Sequence, residues 1–326
     1  MNALNLIRLA VASIAAALAG TTAQAQAPGN AKAVQIIVPF GPGGGQDILA
    51  RSFNNELGAA LGQPVIVEYR AGAGGMVGSS FVAKLDPNAQ TLLIGSIGHT
   101  VGALLSAKPP YHPVNDFTPV AHVALSNQVI IVNATLPVKS ARELVGYVRA
   151  NPGKFNYASA GTGSSTHLAM AYLASVAGIQ MEHIPYKSNA DQIAALLAGT
   201  VQVISMPIIA TMPVAKDPRI RILGVTPSKR SRILPDVPTI AESGLPEYTY
   251  EPAWFGLLGP AGMPRPFVER VSQEMAKLVN SATLSERLAK LGLEPLYLDP
   301  AAFTQVLRAD YEKIGRIVKL AGVTAE

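Results

Sequence analysis

The 326-residue chain contains no cysteine. Structural disulfides, thiolate metal sites and a cysteine nucleophile are thereby excluded. Charged residues make up only 14% of the chain and aromatic residues 6%. Beyond the N-terminus no stretch is apolar for the roughly 20 residues that a membrane span needs. There is no G-x-x-x-x-G-K-[ST] phosphate loop, no G-x-S-x-G nucleophile elbow and no H-E-x-x-H zinc motif. The five histidines, His99, His112, His122, His167 and His183, show no ligand spacing, so neither a metal nor another cofactor is expected. The formal charge of +5 is not gathered into a Lys/Arg run, which argues against nucleic acid as a partner.

What the chain has is aliphatic core material, enough for about two domains at roughly 150 residues each. It opens on a leader. Arg8 supplies a positive start, residues 9–18 are short and mostly apolar, and Ala23-Gln24-Ala25 is an A-x-A cleavage site. Residues 1–25 are expected to be a signal peptide, and the rest an exported, soluble protein.

Residues 34–50 then set the pattern for everything that follows. Val34, Ile36, Ile37 and Val38 predict a short buried strand. Pro39 and the glycines at 41, 43, 44 and 45 make a turn with almost no side chains. Behind Asp47, the spacing of Ile48, Leu49, Phe53, Leu57 and Leu61 predicts a helix. Strand, bare turn and helix N-terminus together form a place where backbone N–H groups can point at an anion. A strand at 65–68, a second glycine turn at 70–75 and a helix at 76–85 repeat the theme, and a third strand at 92–94 ends near Ser96 and His99.

The unit recurs further on. A strand over 155–158 runs into the small-residue turn 159–167 and then a helix carrying Leu168, Leu173 and Val176. This α/β pattern predicts parallel sheets with ligands at the carboxyl ends of the strands. Residues 284–291 and 300–321 are read as helices, and 248–258 as an extended segment crossing back. Two lobes joined by two crossing segments would enclose a cleft with a hinge. Ser164, Ser165, His167 and Asp191 also admit a serine hydrolase, although a Ser and His this close at a helix start more often serve as cap and packing.

The motifs VPFGPGGGQDILAR, GQPVIVEYRAGAGGMVG, NPGKFNYASAGTGSSTHLA, IPYK and AWFGLLGPAG, in this order after a leader, resemble the Bug (TctC-like) substrate-binding proteins. These are periplasmic receptors of tripartite tricarboxylate transporter systems. The resemblance covers residues 33–323. It implies an α/β, type II periplasmic-binding-protein fold, with residues 26–126 and 251–326 as one lobe and 127–250 as the other. It further implies a monomer without catalytic residues that closes on a small carboxylate. Its partner would be the membrane subunits of the transporter, or a sensor kinase where the receptor serves signalling. The ligand-binding residues it implies are Phe40, Gly41, Gly44, Gly45, Gln46 and Asp47 in the first turn. Ala160, Gly161, Thr162, Ser164, Ser165, Thr166 and His167 face them. Ser96, His99, Tyr186, Ser205 and Met206 complete the set at strand ends. Against the family pattern, Gln46 stands where Thr is frequent, Ser188 where Gly is frequent, and Ser205-Met206-Pro207 where acidic or Asn-containing strand ends are frequent. The last change suggests a ligand with an apolar or aromatic body, such as terephthalate, in preference to citrate.

Overall fold

The computed structural model describes residues 32–251 and 253–322; the expected leader lies outside them. Strand β1 (Val34–Val38) is inaccessible at Val34, Ile36, Ile37 and Val38. A strand buried on both faces must be internal. It pairs in parallel with β2 (Val65–Tyr69) on one side and β3 (Thr91–Ser96) on the other. Three antiparallel pairings extend the sheet through β10 (Ala253–Pro260) to β4 (Phe117–Ser126) and β11 (Glu294–Leu298). The order is β11-β4-β10-β3-β1-β2.

The second sheet has the order β7-β6-β8-β5-β9. Its strands are β5 (Gln128–Asn133), β6 (Asn156–Ser159), β7 (Glu182–Pro185), β8 (Val203–Pro207) and β9 (Ile220–Val225). The chain passes between the sheets twice, through Asn127 and through the connection that includes residues 226–251. Residues 240–244 form a series of turns. The stretch from Pro227 to Pro252 has five prolines, and each proline withholds the donor a helix needs.

Helix α1 (Gly45–Leu61) lays Leu49, Phe53, Leu57 and Leu61 on the first sheet, one or two turns apart. Helix α2 (Met76–Ala83) follows β2, and α3 (Ile97–Leu105) follows β3 directly. Although α3 leaves the first sheet, its Ile97, Val101 and Leu105 pack in the core of the second, with Ile130 and Leu168. Around the second sheet lie α4 (Ala141–Ala150), α5 (Ser165–Ala177), α6 (Asn189–Leu197) and the single turn α7 (Ile208–Thr211). Helices α8 (Arg265–Val279) and α9 (Ala282–Lys290) cover the first sheet with Val271, Met275, Leu284 and Leu288. The last helix, α10 (Pro300–Ala321), spans both cores. Phe303 and Leu307 pack with Trp254 of the first sheet, and Ile314 and Ile317 with Tyr250 and Leu168 by the second. The architecture is the mixed α/β fold expected, with two sheets. Among the described residues no helix is long and apolar enough to cross a membrane.

Candidate functional site

Four helices begin at one place. The first hydrogen bond of α1 runs from the Ile48 N–H to the Gly44 carbonyl at 3.0 Å, so the N–H groups of residues 45–47 have no acceptor within the helix. In α5 the first such bond runs from the Leu168 N–H to the Ser164 carbonyl at 3.1 Å, which frees those of Ser165 and Thr166. Ser96 is the N-cap of α3 and Ser188 that of α6. Gly44, Gln46, Ser96, Ser164, Ser165, Thr166 and Asn189, drawn from all four helix starts, line one cavity. Phe40, Ala160, Pro207 and Phe255 supply its apolar walls. Its volume is about 20 Å³, where a single water needs about 10–15 Å³ on the same measure.

None of the lining side chains is charged. The positive potential comes from the helices, each N-terminus being equivalent to roughly half an elementary charge. The side chains are tethered so as to leave donors. Gln46 Nε2 donates to Ser96 Oγ at 3.0 Å, which leaves the Ser96 hydroxyl proton for another acceptor. Gln192 Nε2 donates to Asn189 Oδ1 at 3.0 Å, so the Asn189 amide nitrogen keeps its protons for the cavity. Thr166 Oγ1 accepts from the Ala160 N–H at 2.9 Å and fixes the loop that carries Ala160.

Other residues named from the sequence sit elsewhere. Asp47 braces the first turn from outside the cavity. Its Oδ2 accepts from the Gly43 N–H at 2.8 Å, while Oδ1 accepts from Arg51 Nε at 2.7 Å and the Tyr69 hydroxyl at 2.8 Å. Gly41 faces Ser188 of the opposite sheet, where a Cβ would lie 3.7 Å from the serine Cβ. At Gly45 a Cβ would stand 2.9 Å from Ile209, so glycine permits the close approach of α1 to α7. His99 turns into the core, its Nε2 2.8 Å from the Pro113 carbonyl and its ring stacked on Tyr111. Burial lowers its pKa to about 4. Ser205 donates to Gln128 Oε1 at 2.6 Å. Met206, one residue on and therefore on the other face of β8, packs with Ile204 and Leu196. Neither residue lines the cavity; only Pro207 of that strand end does.

His167 lies under the loop with its Nδ1 accepting from the Gly163 N–H at 3.2 Å. Its ring stacks on His183 at 4.0 Å, and His183 stacks in turn on Tyr157 at 5.0 Å. Burial pushes both histidines down to about 4, and at His167 the neighbouring His183 adds to the effect. They are neutral at neutral pH and lend a ligand no charge. Ser164 Oγ accepts from the backbone N–H of His167, not from its ring, so the pair has the geometry of a helix cap rather than of a nucleophile and base.

Gly161, Thr162 and Tyr186 line a second chamber of about 440 Å³, which shares Phe40 and Ala160 with the first. Here the turn of residues 72–75, from the first sheet, meets the loop of residues 161–164 from the second. A Cβ on Gly74 would come within 2.4 Å of the Thr162 carbonyl oxygen, and one on Gly161 within 3.2 Å of the Gly74 nitrogen. Both residues have positive φ, +62° and +104°, where only glycine sits without strain.

Sequence reasoning missed Asn189 and Phe255. Ser188 with Asp191 three residues on signals a helix start at Asn189. Phe255 had no comparable local signal, because its place depends on β10 returning beside β3.

Residues 49–323 match the family model of the tripartite tricarboxylate transporter family receptor. The chain belongs to this family. It is 32% identical over 325 residues to the protein BugT of Bordetella pertussis, covering 98% of this chain and 99% of that one. Among solved structures, it is similar to Rpa4515 of R. palustris, solved with adipate, with a TM-score of 0.86 at 30% identity over 90% of this chain and 99% of that one. The periplasmic binding protein BugD is similar at a TM-score of 0.84 and 30% identity, with the same coverage. Receptors of this family are solute-binding proteins, not enzymes. They bind small carboxylates and work with transporter membrane subunits.

Proposed function

We propose that this chain is a periplasmic receptor that takes one carboxylate of a small di-acid into the cavity where α1, α3, α5 and α6 begin. One observation carries the reading: four helix N-termini and several tethered hydroxyl and amide donors converge on a space with no charged side chain. Such a site neutralises an anion with uncharged donors, so the anion is held without a salt bridge that would slow its release. The lobes of the proposal are residues 26–126 with 251–326, and residues 127–250. Each supplies two of the four helix starts, so the ligand bridges them and favours the closed arrangement by its differential affinity. The bound solute passes to the membrane subunits of a tripartite tricarboxylate transporter. Phe40 and Ala160, the apolar walls that continue beyond this cavity, suit a ligand with a hydrocarbon or aromatic body.

The test is thermal-shift screening followed by calorimetry with adipate, citrate, nicotinate and terephthalate, with chloride as control. Stabilisation by at least one di-acid, saturable and 1:1, is expected. A chain stabilised by none of the four is not a carboxylate receptor of this kind.

A further inference from the structure

We propose that the two chambers act as one elongated site, and that Lys187 is the specificity residue that receives the second carboxylate of a ligand anchored at the helix starts. The inference rests on the carboxylate reading above and deepens it to a ligand class: dianions long enough to pass one aromatic ring, in preference to mono-acids.

At about 20 Å³ the first chamber has room for a group such as a carboxylate and little more, whereas the second offers about 440 Å³. Phe40 and Ala160 line both, so a ligand continuing out of the first chamber passes between them. The Phe40 ring is the partition, and it fits because Gly75 has no side chain: a Cβ there would lie 3.1 Å from the ring.

Charge comes next. The first chamber carries no ionic side chain, and its helix dipoles fall off within a turn. They can neutralise one carboxylate but do not reach a second one beyond Phe40. Of the residues lining the second chamber, Lys187 alone is charged. It is exposed, and among the described residues no carboxylate forms an ion pair with it. The nearby Arg70 is engaged on the face of Phe81, 3.7 Å from the ring centroid. An ammonium group without a counter-ion, lining the chamber that adjoins one built for an anion, is placed to select a second negative charge.

The experiment is calorimetry on the mature chain with adipate and with hexanoate, which has the same number of carbons and one carboxylate fewer, for the wild type and for Lys187→Gln and Lys187→Glu. The wild type is expected to bind adipate about fivefold or more tighter than hexanoate, as charge-assisted hydrogen bonds allow. Lys187→Gln should remove that difference by weakening adipate alone, and Lys187→Glu should reverse it. Because Lys187 is exposed, thermal melts should show all three proteins equally folded. The inference is overturned if Lys187→Gln leaves adipate unchanged or weakens both acids equally, or if the wild type binds citrate but not adipate. If the wild type binds no carboxylate at all, the receptor reading itself has failed.

Discussion

Gln46 and Ser96 share one hydrogen bond, 3.0 Å from the amide nitrogen to the hydroxyl oxygen, and through it the start of α1 is tied to the start of α3. Both side chains are buried, at 6% and 5% exposure. The bond decides polarity. Gln46 gives a proton, so Ser96 must direct its own proton elsewhere, and the cavity is where an acceptor would be. A Thr here could not span this gap with an amide, so the choice of Gln46 sets how many donors the cavity presents.

Ser96→Ala should therefore weaken carboxylate binding by about tenfold, the cost of one charge-assisted donor together with the stranded Gln46 amide. Gln46→Glu should do far more. It places a negative charge where the only compensation is dipolar, and at neutral pH a loss of at least about 100-fold is expected. Binding should recover as the pH falls and the introduced carboxyl is protonated. Calorimetry at two pH values distinguishes this from misfolding, which would not recover.

The contact between the turn of residues 72–75 and the loop of residues 161–164 can be tested by a pair of substitutions. Gly74→Ala and Gly43→Ala both put a side chain at positive φ, +62° and +79°, costing about 1 kcal/mol of backbone strain each. Around Gly43 a Cβ meets nothing within 4 Å, whereas at Gly74 it meets the Thr162 carbonyl at 2.4 Å. Strain being common to both, the additional loss in Gly74→Ala reports the approach of the two sheets. It should appear as a lower melting temperature and as weaker ligand binding, and Gly43→Ala should show little of the second.

Much of this was legible in the sequence, for reasons that are local. Residues 34–50 and 155–176 declare strand, small-residue turn and helix start within a few positions, and the sheet they imply follows. The leader motifs and the glycine turns pointed to the family that the comparison bears out. Helix α3 was not legible, because Gly98 and Gly102 weaken the local helical signal and its stability comes from packing Ile97, Val101 and Leu105 in the other sheet's core. Strand β11 was hidden in the same way by Pro295, which an edge strand tolerates. Met206 does not line the cavity for a reason of parity. A strand end near a cleft still sends alternate side chains to opposite faces, and there it is Ser205 and Pro207 that share a face.

The stacked histidines give a pH dependence of known sign. Both lie near pKa 4 in the folded chain, against an ordinary 6.5, because burial disfavours the imidazolium. Between pH 6.5 and 4 the unfolded chain therefore binds more protons, and stability falls as pH falls through that window. His183→Phe keeps an aromatic ring on Tyr157 and His167 and should reduce the slope of melting temperature between pH 7 and 4.5. A slope unchanged by this substitution would mean that the acid sensitivity arises elsewhere.

Asp310 should act in the opposite sense. It sits in α10 between Leu307, packed by the first sheet, and Ile314, packed by the second, where the chain returns past Tyr250 and Trp254. Burial raises its pKa from 3.8 to about 6, with the Trp254 side chain and Lys313 offsetting only part of the effect, and its charge bears on buried Tyr250. A carboxyl whose pKa is raised on folding stabilises the fold below its ordinary pKa, and that contribution is lost as the pH rises through about 6. At pH 7.5 the buried charge is a cost that asparagine would not carry. Asp310→Asn is therefore expected to melt higher than the wild type at pH 7.5 and close to it at pH 4, in contrast to most substitutions of a partly buried acid. Because α10 bridges both sheets, calorimetry at pH 7.5 and 5.5 should also show whether ionisation here changes ligand affinity. A wild type that outlasts Asp310→Asn at pH 7.5 would show that the carboxylate is satisfied in place, by Trp254 or by Lys313, and that α10 carries no such penalty.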